Sequence, residues 1–314
     1  MQSVLRLLSL AAITSVSGFL PRGETAGAPR RVSVANAESL SVSASAPSTN
    51  AHAVADTWPT VVLLSGPLGS AFSMRHITAA LTAQGIATVV IDPLGMGNSS
   101  RPRVADYTLT RQAQRVASVL DTLGVGRVML VAPGTSATIA MHFAADNPAR
   151  VAGIISLSGG PMDHQGTRAV SFALKMAPLL DNAIGRALGR RKFMAGVREQ
   201  SASDAWCTKE VMKMYLAPFE RDLRGSLRVL GAMSESVEPV SIASRLSSIT
   251  APVQLLVGDK VSPNSVSDAQ VALMASALAS FRVDTVPRAG TMLHEERADA
   301  VVQATLAALA KLRR

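Results

Sequence analysis

From residue 60 onward, short apolar runs alternate with longer amphipathic stretches. Val61-Val62-Leu63-Leu64 ends in Ser65-Gly66-Pro67, the run over 87–91 ends in Asp92-Pro93, and further runs occupy 128–132 and 151–157. Continuous apolar runs closed by turn residues predict strands buried on both faces, as in a parallel sheet. Between them, Leu109, Val116, Leu120 and Leu123 recur at helical spacing, and Gly124 ends the stretch. Residues 135–147 predict a second helix, halted by Pro148. The alternation lapses over 163–249, which is helical in composition, with Met-rich and Arg-rich segments. It resumes with a strand at 253–257, a helix at 267–278, a strand at 281–286 and a last helix from about Glu296.

Repeated strand–helix units imply an α/β fold: a doubly wound, mostly parallel sheet with helices on both faces. The expected core is 56–162 together with 250–314. The block at 163–249 is expected as a helical cap over the carboxyl ends of the strands, where such sheets bind ligands. Residues 1–55 are expected to lie outside the fold. Their basic start, apolar 7–20 stretch and following small residues predict a leader for export, with organellar import as the alternative. The Ser, Ala and Pro content of 38–56 predicts a flexible linker.

Composition narrows the function. With 48% hydrophobic and 17% charged residues in 314, the chain can bury a sizeable core. No internal apolar run is long enough for a membrane-spanning helix. The net charge of +9 comes mostly from scattered arginines; the densest group is Arg186, Arg190, Arg191, Lys192 and Arg198. That group predicts a solvated helix face, with an interaction surface as the alternative, and no nucleic-acid motif accompanies it. A single cysteine, Cys207, excludes an internal disulfide. The five histidines lack metal-ligand spacing, so no metal is expected. Gly95-Met96-Gly97 lacks the remaining glycine of a dinucleotide fingerprint, so no cofactor is expected either.

Four segments carry a resemblance. They are Ser65-Gly66-Pro67-Leu68-Gly69-Ser70; Asp92-Pro93-Leu94-Gly95-Met96-Gly97-Asn98-Ser99; the run over 131–151; and Ala289-Gly290-Thr291-Met292-Leu293-His294 with the residues after it. Together they resemble the α/β-hydrolase superfamily, close to its capped esterase and haloperoxidase-like members. The second segment matches Asp-x-x-Gly-x-Gly-x-Ser in full, and the third aligns without a gap to the nucleophile elbow and its helix.

The resemblance implies a catalytic serine, acid and base, and each position is altered. The elbow Gly-x-Ser-x-Gly reads Ala132-Pro133-Gly134-Thr135-Ser136, which places Gly134 at the nucleophile. The acid position falls on Val261 and the base position on Thr291, which cannot accept a proton near neutral pH. One oxyanion-hole N–H falls on Pro67, which has none, and leaves only that of Thr135.

A relocated site would draw on Ser136 as nucleophile, His294 as base, and Asp259 or Asp163 as acid. For Ser136 a capping or packing role is the expectation, and for His294 a structural one. The leading expectation is therefore a pseudo-enzyme that binds a small apolar ligand or a protein partner. Its pocket would be lined by Pro67, Leu68, Gly134, Thr135, Val261 and Thr291. The alternatives are an esterase-like hydrolase built around Ser136 and His294, and an interaction module using the basic cap surface.

Overall fold

A computed structural model gives the architecture and describes residues 28–35, 37–45, 58–67, 69–165 and 183–312, without the side chains of 183–186. An eight-stranded sheet forms its centre: β1 (Arg30–Ala35), β2 (Glu38–Ser45), β3 (Thr60–Leu64), β4 (Thr88–Asp92), β5 (Val128–Pro133), β6 (Val151–Leu157), β7 (Val253–Gly258) and β8 (Phe281–Val286). The spatial order is β1-β2-β4-β3-β5-β6-β7-β8. Strands β3 to β8 run parallel, while β1 and β2 are antiparallel to their neighbours.

The helices cover both faces. Helices α1 (Arg75–Ala83) and α8 (Ala298–Lys311) pack on one side, where Val61, Leu63, Ile77, Leu81, Val301 and Leu309 are buried together. Helices α2 (Leu109–Thr122), α3 (Thr135–Asp146) and α7 (Asp268–Ala277) cover the other, with Val62, Leu64, Val116, Ile139 and Met274. Alternate residues of β3 thus feed opposite cores, which is why its run is apolar throughout. Helix starts follow local chemistry: Thr108 accepts from Arg111 N–H at α2, and Ser267 and Gln270 form a capping box at α7.

Two expectations are corrected. Residues 1–27, 36 and 46–57 lie outside the described residues, but 30–35 and 38–45 are strands of the sheet, and 38–45 is therefore not a linker. Leu40, Val42 and Ala44 alternate with serines that are themselves buried, and Ser41 to Ser45 pair with Asp92 to Thr88. Buried ion pairing completes the anchor: Glu38 takes two charge-assisted hydrogen bonds from Arg115 of α2, at 2.6 and 2.9 Å. The serine-rich β2 carries the composition of a linker, but its apolar residues recur with the period of two of a strand, paired with β1 on one side and β4 on the other.

The helical block also ends earlier than 249. Its described helices are α4 (Ala183–Glu199), α5 (Lys209–Arg221) and α6 (Leu223–Glu235), and 166–182 lie outside the described residues. The 3-10 turn Ile242–Ser248 packs against α3 and α7 of the core, with Ile242, Leu246 and Ile249 buried. Among the described residues no helix is long and apolar enough to cross a membrane.

Candidate functional site

The chain leaves β3 for one side of the sheet and returns at β5 on the other, so the carboxyl ends of β3 and β5 form a topological switch point. Gly134 lies there, between β5 and α3. Its φ of 49° and ψ of −127° place it where side-chain-bearing residues are strained. A β-carbon at Gly134 would meet nothing within 4 Å. Backbone strain, and not lack of space, is what opposes a side chain there. The Gly134 N–H donates to the Leu157 carbonyl at 3.0 Å, which fixes the turn against β6.

The loop after β3 forms the facing wall. A β-carbon at Gly66 would lie 3.4 Å from the Pro133 ring, so the two loops are in contact distance. Gly66, Pro67, Gly134 and Thr135 are all half-buried, while Leu68 lies outside the described residues. Of the two oxyanion positions, only Thr135 has a main-chain N–H to offer.

The relocated-site residues are not assembled. Ser136 is fully buried, and its hydroxyl donates to the Ser65 carbonyl at 2.7 Å. Asp163 accepts from the Ser241 hydroxyl at 2.5 Å and from Ile242 N–H at 2.9 Å, and so caps the 3-10 turn. Asp259 accepts from Arg288 and Ala289 N–H at 2.9 and 3.1 Å, and these bonds hold its carboxyl below the usual range. With Asp259 turned onto that loop, Val261 emerges into solvent and is 84% exposed. Val261 is thus a correction: it stands at the acid position in the alignment but does not line a pocket.

Thr291 is half-buried, and its hydroxyl donates to Gln200 Oε1 at 3.3 Å. His294 is buried in a polar cluster that joins α5 to the core. Its Nε2 lies 3.3 Å from the Tyr215 hydroxyl, and Tyr215 in turn donates to Glu295 at 2.6 Å. Arg75 of α1 holds Glu295 with two bonds of 2.6 and 2.8 Å. Because Tyr215 spends its proton on Glu295, the imidazole Nε2–H is the donor to the phenol oxygen. Its Nδ1 has no hydrogen-bond partner among the described residues. Burial pushes His294 down to about 4, and the same burial, with Glu295, pushes the Tyr215 phenol well up. Among the described residues the neutral, enclosed imidazole bonds a phenol and makes no hydrogen bond to a serine.

The remaining motif residues have structural tasks. Asp92 is buried at the end of β4; its Oδ2 accepts from Asn98 N–H at 2.9 Å, and burial pushes its carboxyl up to about 6. Gly97 lacks a side chain because a β-carbon would lie 2.3 Å from Asp92 Oδ2, and one at Gly95 would lie 2.4 Å from Val229 of α6. Cys207 is buried in the cap, and desolvation raises its thiol to about 11, so it is a poor nucleophile. In the basic group, Arg190 pairs with Glu220 at 2.5 Å and Arg198 with Asp204 at 3.3 Å, while the Arg186 side chain lies outside the description. Among the described residues no three His, Cys, Asp or Glu side chains group as metal ligands.

Tyr215, Arg75, Glu295 and Gln200 were not legible as site residues. Tyr215 and Arg75 meet Glu295 across separations of 80 and 220 positions, Gln200 meets Thr291 across 91, and no local motif marks them.

Comparison with known proteins agrees with this geometry. A family model for the alpha/beta hydrolase fold matches residues 59–189. Epoxide hydrolase B of Mycobacterium tuberculosis is 38% identical over 116 residues, covering 35% of this chain and 33% of that protein, about a third of its length. Among solved structures, Cfl2 from Burkholderia cenocepacia superposes with a TM-score of 0.69 at 21% identity, covering 90% of this chain and 95% of that one. An esterase from Exiguobacterium antarcticum superposes with a TM-score of 0.71 at 14% identity, covering 90% and 100%. The chain thus has the α/β-hydrolase fold, and over 59–189 its sequence matches that family's model.

Proposed function

We propose that this protein is a non-hydrolytic member of the α/β-hydrolase superfamily that holds a small apolar molecule between the sheet's carboxyl edge and the cap. One observation carries the reading. Gly134 occupies the elbow, and the neighbouring hydroxyl, Ser136, is buried and donates to Ser65. With neither a nucleophile nor a free imidazole at the elbow, a bound ester or epoxide has no group to attack it.

The preference for an apolar ligand follows from what surrounds the elbow. Pro67 and Gly134 bring no polar side chain, and Thr291 directs its hydroxyl to Gln200. The cap meets the core through an apolar cluster of Val197, Met212 and Tyr215, against which Phe72, Trp206 and Met292 pack. A ligand in such surroundings gains mainly from burial of its own apolar surface.

Thermal unfolding of the full chain tests the proposal. Medium-chain methyl esters and the methyl ketones of equal length are added in parallel, and the mixtures are then analysed for free acid. Both series should raise Tm to a similar degree, and no acid should accumulate above the buffer control. Release of acid, or stabilisation by neither series, would overturn the reading.

A further inference from the structure

The two loops that an active relative would use for its acid and base are here fastened to the cap. Residues 200–203 follow α4 and cross both loops. Thr291 N–H donates to the Gln200 carbonyl at 2.9 Å, and the Thr291 hydroxyl bonds the Gln200 side chain. From the neighbouring loop, Lys260 Nζ donates to the Ser201 carbonyl at 2.6 Å. Ser203 N–H donates to Glu296 Oε1 at 2.9 Å, and the other oxygen of Glu296 accepts from Gly290 N–H at 2.8 Å.

Absent side chains allow this stack. A β-carbon at Gly290 would lie 2.0 Å from the Gln200 carbonyl oxygen, and one at Gly258 would lie 2.2 Å from that of Ala289. Lys260 N–H donates to Ala289 at 3.0 Å, so the two core loops are tied to each other before either is tied to the cap. Beyond the crossing, the Trp206 indole reaches the Ser201 hydroxyl at 3.3 Å and its ring packs against Tyr215.

We propose that residues 200–203 form a strap that closes the cap over the elbow, with Thr291 and Lys260 as its fasteners. Position 291 has thereby exchanged proton transfer for holding the cap, and entry to the elbow requires the strap to lift. This rests on the reading of the elbow as a binding site, but it is testable without any ligand. Lys260 is the fastener to remove first, since its charged bond to Ser201 is the shortest in the strap. Gly290→Ala is the second variant: its φ is not positive, so alanine would strain the contacts with Gln200 and Ser201 of the strap itself.

The reporter is Gly134→Cys in a Cys207→Ala background, labelled with N-ethylmaleimide and followed by intact mass. A thiol at 134 has open space around its β-carbon. Adding Lys260→Met or Gly290→Ala should speed labelling about tenfold, the size expected from losing one charged or strained contact. Hydrogen exchange should rise over 200–208 while β5 and α3 keep their protection. Unchanged labelling in both variants would overturn the strap, and so would a uniform rise in exchange across the sheet. Failure of esters and ketones to bind would leave this measurement untouched, which separates the two claims.

Discussion

The Ser136 hydroxyl donates to the main-chain carbonyl of Ser65 at 2.7 Å, and both residues are fully buried. The hydroxyl beside the elbow thus ties α3 to the loop after β3. Ser136→Ala leaves that carbonyl without this partner, so it should lower stability by about 1–2 kcal/mol in urea unfolding. It should leave ester turnover where it was, at the buffer rate.

His294 makes stability depend on acid. Its native value of about 4 lies below the ordinary 6.5, so the unfolded chain binds the proton more tightly. The neutral ring's contribution is therefore complete above 6.5 and is lost as pH falls through 4. The loss amounts to roughly 3 kcal/mol. Urea unfolding of wild type and His294→Gln between pH 7 and 4 checks this: the wild-type curve should fall more steeply, and parallel curves would refute it.

Asp92 acts in the opposite sense. Its native value is raised from 3.8 to about 6, so the folded chain holds the proton more tightly in that interval. The contribution is full below 3.8 and disappears as pH rises through 6. Asp92→Asn keeps an acceptor for Asn98 N–H and carries no charge. Relative to wild type it should gain roughly 2–3 kcal/mol between pH 4 and 7 in the same experiment. The two slopes oppose each other, so the wild-type profile alone will look flatter than either variant's difference from it.

Truncation tests the edge of the sheet. A chain that begins at residue 28 keeps β1 and β2 and should stay soluble and folded. One that begins at residue 46 exposes the ladder of β4 and leaves Arg115, only 2% exposed, without Glu38. Removing one partner of a buried pair costs about 3–5 kcal/mol, and a bare β-edge promotes aggregation. Soluble yield and size-exclusion profiles of the two chains should differ accordingly.

What was legible in the sequence was what local pattern encodes. Strands β3 to β6 carry nearly continuous apolar runs, and β8 was placed at its observed bounds. The elbow glycine and the Asp92 motif were readable because motif spacing survives without side-chain chemistry. Strand β2 was not, because Ser39, Ser41, Ser43 and Ser45 gave 38–45 the composition of a linker although the chain buries it. Val261 was misplaced because alignment gives a position in the chain but not the direction of a loop, which Asp259 sets through Arg288 and Ala289. The contacts of Tyr215, Glu295 and Gln200 exist only once cap and core meet, so nothing local announces them.

The central claim, binding without hydrolysis, is tested most directly by one assay. The full chain is incubated with p-nitrophenyl butyrate beside Ser136→Ala and His294→Ala, and nitrophenol release is followed at pH 7.5. The account predicts that all three match the buffer rate. Turnover by the wild-type chain that disappears in either variant would contradict it and place a working site at Ser136 or His294.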